Sequence, residues 1–300
     1  MKADNERIMR GEEPSEGSVS EVKEMPKNFN EWMKNNEERF KSAKSMPYFI
    51  KDNGTVLGAS LSSQSNSMAV GDYSVTRQID LTNKEKKLIH SGISAIKKAP
   101  IFEDFQKIEI TNEIDPTEPG VMMSWNNGVL KIHTHEVTLN NGDKFSAARE
   151  LASAFDKLQK GKWNVASFYE EYAIECLFHE SVHSHQIKPL LASRFSAEYT
   201  IHEACTQMYA RENYQKILSL FGAEPNHQLM IRINGLGYKS TCNSLRTFFQ
   251  NPDGTMKTSL LREIAICKRE PSEAVKEILK SKGYSNEEIG NFFLMLNNNQ

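Results

Sequence analysis

Residues 167–186, SFYEEYAIECLFHESVHSHQ, constrain this chain more than any other stretch. Ser167 and Glu170 stand three apart ahead of an apolar run, which is the spacing of a capping box. A helix is therefore expected to start near residue 168. Carried forward, it sets His179 and His183 at i and i+4, on one face and a turn apart. Both imidazoles can then reach a single ion. Glu180 follows His179 by one residue and is rotated by roughly 100° about the axis, so it can touch a water on that ion without ligating it. Around this HExxH pattern the helix is largely apolar, with Tyr172, Ala173, Ile174, Leu177, Phe178 and Val182. That composition places it in a core, where two histidines and a glutamate need a partner. The plainer alternative is a polar stripe facing solvent.

Zinc (Zn2+) in a reactive site takes three protein ligands and leaves a fourth position open. A third ligand of the HExxHxxGxxH kind is excluded, because Gln186 and Pro189 occupy the positions that need Gly and His. An aspartate is excluded nearby, since none occurs between Asp156 and Asp253. Glu198, Glu203, His202 and His185 remain, with Glu212 and Glu224 further off. Glu203 is preferred because it lies midway along the next strong helical stretch, YTIHEACTQMYA (199–210). Small residues around it, Ala204, Cys205 and Ala210, let that helix approach the first. Glu198 stands nearer the expected helix start and lacks such surroundings.

The rest of the chain frames this pair of helices. Residues 1–27 are read as an acidic, disordered tail: within the first 25, four basic side chains face seven acidic ones, a net charge of −3. In 28–53, Phe29, Trp32, Met33 and Phe40 are spaced for one helical stripe. Residues 54–78 are rich in Ser, Gly and Asn and are read as a linker. The compact domain is expected over 79–300. Thr82 and Glu85 cap a helix over 83–98. Strands are expected at 105–111, 121–125 and 129–135, the last two forming a hairpin around Asn126-Asn127-Gly128. Helices follow from about 145. The expected fold class is α+β, a small sheet or hairpin followed by a mostly helical part.

The sequence His179-Glu180-x-x-His183, followed by Glu203-Ala204-x-Thr206-Gln207-x-x-Ala210, resembles the gluzincin branch of HExxH metallopeptidases. The resemblance implies a zincin-like domain in which a downstream helix supplies the glutamate ligand. It also implies that the edge strand of a small sheet lines up a peptide or protein substrate. A downstream Tyr or His often steadies the oxyanion in that branch. Tyr238, after the turn Gly235-Leu236-Gly237, is the candidate here, with His202 as its competitor and a core tyrosine as the plainer reading. Separately, PKNFNEW, NNEERF and PYFIKDN within 28–53 resemble a segment of Mu-like phage head-morphogenesis (minor head) proteins. This implies a phage or prophage origin and phage head proteins as candidate partners.

Composition narrows the alternatives. The formal net charge of −2 supplies no global field for nucleic acid or an anionic membrane. No apolar run approaches the length of a membrane span, and the first residues lack the apolar stretch of a secretory signal. A cytoplasmic or virion-associated protein is expected. The four cysteines form no CxxC pair and are read as reduced thiols. His133 and His135 are read as part of a solvated strand face rather than a second metal site. His185 is expected to be exposed. Three function classes stay open: a zinc peptidase, a non-catalytic head-assembly component, and an effector peptidase acting on one host protein. Only the peptidases need Glu180.

Overall fold

The computed structural model describes residues 73–99, 102, 105–114, 121–126, 128–139, 142–186, 197–269 and 271–297. The expected tail (1–27), the 28–53 segment and most of the expected linker lie outside them. The end of that linker is not a linker. Tyr73–Gln78 forms a strand, β1.

Helix α1 (Asn83–Ile96) begins at the expected capping box: Glu85 N–H donates to Thr82 Oγ1 at 3.2 Å, and Thr82 N–H donates back to the Glu85 carboxylate at 2.7 Å. Strands β2 (Lys107–Thr111), β3 (Met123–Asn126) and β4 (Val129–His133) form a first sheet in the order β2-β4-β3. β2 pairs parallel with β4, and β3 pairs antiparallel with β4 as the expected hairpin. Gly128 in its turn has φ +79°, and a Cβ there would come within 2.8 Å of the Gln106 side chain. The left-handed backbone is what favours glycine here, since the Gln106 side chain is flexible enough to move aside.

The expected strand over 129–135 is two strands. The chain breaks at Thr134 and continues as β5 (His135–Leu139), which pairs with β1 and with the short β6 (Lys144–Phe145) in a second sheet, order β1-β5-β6. Thr134 N–H donates to Thr111 O, and Ile79 N–H donates to Thr134 O, so this one residue stitches the sheets together. His133 and His135 therefore belong to different sheets, and their exposures are 6% and 1%. The expected solvated face is a buried one.

Among the described residues beyond, the main elements are helices: α2 (Ala147–Gln159), α3 (Phe168–His183), α4 (Ala197–Asn213), α5 (Gln215–Ser219), α6 (Gln228–Asn234), α7 (Lys239–Phe249), α8 (Thr258–Ala265), α9 (Pro271–Ser281) and α10 (Asn286–Asn297). The fold is mixed α+β, mostly helical, with small sheets. α3 packs between α2, α4 and strand β3, while α4 is surrounded by α3, α7, α8, α9 and α10. One apolar core joins the two parts, through Ile93 of α1, Leu130 and Ile132 of β4, Phe155 of α2 and Phe178 of α3. No helix among the described residues is long and apolar enough to cross a membrane. No disulfide joins the four cysteines.

Candidate metal centre

The capping box that starts α3 is fully formed. Glu170 N–H donates to Ser167 Oγ at 3.2 Å, and Ser167 N–H donates to the Glu170 carboxylate at 2.6 Å. Lys157 of α2 reaches the same carboxylate at 2.6 Å, tying the helix start to its neighbour. The cap thereby fixes the phase of α3 and the positions of its last two turns.

Those turns carry His179 and His183. Their Nε2 atoms lie 2.8 Å apart, and each lies 3.4 Å from a different oxygen of Glu203 on α4. Donors held about 2.0–2.1 Å from a tetrahedral ion sit roughly 3.3 Å from one another, which is close to the spacing found. Two imidazoles and one carboxylate converging from two helices can hold a metal ion. All three are the residues expected from the sequence. Glu198, the alternative glutamate, lies in α4 but its side chain is outside the described residues.

The surroundings of the three donors are organised. Gln186 Oε1 lies 2.7 Å from His183 Nδ1, and its amide donates to Thr206 Oγ1 at 2.7 Å and to the carbonyl of Ala265. This support fixes the ring plane of His183 and directs its Nε2 toward Glu203. His179 Nδ1 is buried and has no hydrogen-bond partner among the described residues. Burial opposes a charge on His183, yet the adjacent Glu203 carboxylate, helped by Glu180 and Gln186, holds the imidazole up to about 9. Burial likewise favours a neutral Glu203, but His183 and His179 outweigh it and hold that carboxyl far below the usual range. Each of the two groups thus favours the charged form of the other.

Glu180 is 8% exposed and is absent from the ligand set. Burial pushes its carboxyl up; His179 and His183 pull it down, Glu203 pushes it up, and the backbone N–H of Trp125 on β3 donates to it. A carboxylate raised in this way, beside a metal-binding set but not part of it, suits proton transfer.

His202, next to Glu203, is buried, and its Nε2 has no partner among the described residues. Burial and the nearby His183 charge lower it to about 4, so it is neutral near pH 7. Tyr238 is half-buried against the core, immediately before α7, with φ 51° and ψ 32°. It is the only non-glycine with positive φ among the described residues. Its backbone follows Gly237, whose N–H donates to Tyr172 Oη at 3.0 Å. This places the Tyr238 backbone beside α3, but Tyr238 is not among the converging donors. His185, expected to be exposed, is half-buried at the C-terminal end of α3.

The sequence pattern does not single out Gln186 as a support for His183 or Trp125 as a partner of Glu180. Gln186 has a signal, its i+3 spacing from His183. Trp125 has none, because its contribution is a backbone N–H. No family model matches this chain, and neither a curated protein nor a solved structure shows significant similarity to it.

Proposed function

We propose that this chain is a zinc-dependent peptidase of the gluzincin type. The observation that carries this reading is the convergence of His179, His183 and Glu203, with Glu180 beside them and outside the ligand set. Zinc suits a site of two imidazoles and one carboxylate; when bound, it would acidify a coordinated water and polarise a carbonyl oxygen.

The remaining steps fall to the protein. Glu180 accepts the proton of the attacking water and returns it to the leaving amine. Its hydrogen bond from Trp125 N–H keeps it directed at that task from the β3 side. β3 is an outer strand of its sheet, so an extended peptide pairing with it would pass across Glu180. Burial of the site excludes bulk water and strengthens each charge interaction within it. Tyr238 and His202 are the candidates for steadying the oxyanion, Tyr238 being preferred. A phage or prophage origin is proposed on the 28–53 resemblance alone.

The deciding experiment compares wild type with Glu180→Gln in the native biological context, after metal analysis of both proteins. The peptidase reading expects zinc in both and peptide cleavage only in the wild type. A non-catalytic head-assembly protein predicts no cleavage of any peptide library by wild type and no phenotype for Glu180→Gln. That outcome would replace the peptidase reading.

A further inference from the structure

Helices α3 and α4 run antiparallel, and the face they share is lined with polar side chains. On α3, Glu171, Glu175 and His179 stand four residues apart; on α4, Glu203, Gln207 and Arg211 do the same. That spacing puts each trio on one face. Glu203 meets His179 and His183 at 3.4 Å. One turn behind the metal site, the Gln207 amide donates to the Glu175 carboxyl. At the far end the Tyr214 hydroxyl donates to Glu171. Beside these rungs the two helices also meet through aromatic side chains, the rings of Phe178 on α3 and Tyr209 on α4 lying 6.1 Å apart.

Apolar contacts are not directional, and one turn of slip between two helices is only about 5.4 Å. A slip of that size in one sense would set Glu203 opposite Glu175, carboxyl against carboxyl. Buried polar pairs are a recognised device for fixing which register two helices adopt. We propose that Glu175 and Gln207 are positioning residues for the metal site, their hydrogen bond setting the register in which Glu203 falls between His179 and His183. This rests on the metal-site reading given above.

Further features support the assignment. Glu175 and Arg211 are fully buried, and neither belongs to the ligand set. Arg211 acts on Glu175 electrostatically, while its Nη2 donates to the carbonyls of Gly235, at 2.7 Å, and Gly237. A Cβ on Gly237 would come 2.7 Å from Gln207 Oε1, so the turn before Tyr238 is seated directly on this layer. Burial pushes the Glu175 carboxyl up to about 8, with Arg211 and Gln207 opposing. Near neutral pH it is largely protonated, and glutamine is then a close replacement.

The test uses cobalt(II) in place of zinc, because its visible bands report coordination geometry. Gln207→Leu and Glu175→Met should fold, judged by circular dichroism, yet bind cobalt roughly 10–100-fold more weakly and with altered bands. Glu175→Gln should keep the wild-type spectrum and affinity, which a purely volume-filling role would not require. If the apolar variants do not fold, Gln207→Asn keeps the amide but shortens its reach, and it carries the same expectation in milder form. Variants of Gln207 with wild-type spectrum and affinity overturn the proposal. A wild type that takes up no cobalt sinks the metal-site reading instead. The register is then read from metal-free crystal structures: an unchanged approach of Glu203 to both histidines in Gln207→Leu overturns the proposal, and its loss supports it.

Discussion

The backbone N–H of Trp125 donates to the carboxyl of Glu180, so an outer strand and the candidate general base form one unit. Strand β3 is held in turn by its antiparallel register with β4, Trp125 opposite Leu130. Leu130 is fully buried in the core. The orientation of Glu180 is therefore set from two directions, by the phase of α3 and by the sheet.

The histidines are predicted to be indispensable for metal retention. Structural zinc sites bind with about 10–16 kcal/mol, so a single ligand is worth on the order of 3 kcal/mol, or roughly 100-fold in affinity. Elemental analysis of purified protein should find one zinc per chain in wild type and little after dialysis of His179→Ala or His183→Ala. Full zinc in both variants would refute the site.

Glu203 should behave differently from Glu198. Glu203 approaches both imidazoles at 3.4 Å, and its removal leaves only two protein donors. Glu203→Ala is expected to weaken zinc by roughly 100-fold, read by chelator competition, and Glu198→Ala by less than about 3-fold. The reverse order would mean that α4 presents a different turn to α3.

Much of this arrangement is legible in the amino-acid sequence. Two capping boxes locate α1 and α3, and Asn126-Asn127-Gly128 locates the β3–β4 hairpin. These are local signals, each carried by residues a few positions apart. The histidine spacing and the small residues near Glu203 extend the same logic to the metal set. The features that are not legible depend on distant partners. His133 and His135 alternate like residues on one strand, and only the pairing of β5 with β1 shows that Thr134 separates two sheets. β1 itself lies at the end of a Ser-rich stretch, and its short alternation, Tyr73-Ser74-Val75-Thr76, spans too few residues to stand out from it. The pairing of Glu175 with Gln207 follows only from how α3 and α4 lie against each other.

Glu150 on α2 gives a test of the fold that is independent of the metal. Burial, with the neighbouring Glu170 charge, raises its carboxyl to about 7 against the opposing pull of Lys157 and Arg149. The folded protein thus holds this proton more tightly than the unfolded chain, whose glutamates titrate near 4.5. Stability should be unimpaired by this group below that value and should fall as pH rises toward 7. Glu150→Gln removes the penalty. Thermal unfolding should show Tm raised by roughly 2–8 °C near pH 8 and almost unchanged near pH 4. An equal gain at both values would mean that packing, not ionisation, sets the effect.

Tyr238 is the last and most specific expectation. A tyrosine in the left-handed region is uncommon and costs about 1 kcal/mol relative to ordinary backbone, so its surroundings must hold it there. Those surroundings are the turn clamped by Arg211 and Tyr172, both anchored in the helices that carry the metal donors. Strain of this kind concentrates where a side chain is needed in one place. If the phenol steadies the developing oxyanion, Tyr238→Phe should lower turnover by on the order of 100-fold, with metal content and Tm unchanged. His202→Ala should have a smaller effect on turnover, because the imidazole is neutral and therefore a weaker donor near pH 7. Steady-state kinetics of the two variants on one cleaved peptide decide between them. Wild-type turnover in Tyr238→Phe, with a large loss in His202→Ala, would transfer the role to the histidine and leave Tyr238 as a packing residue.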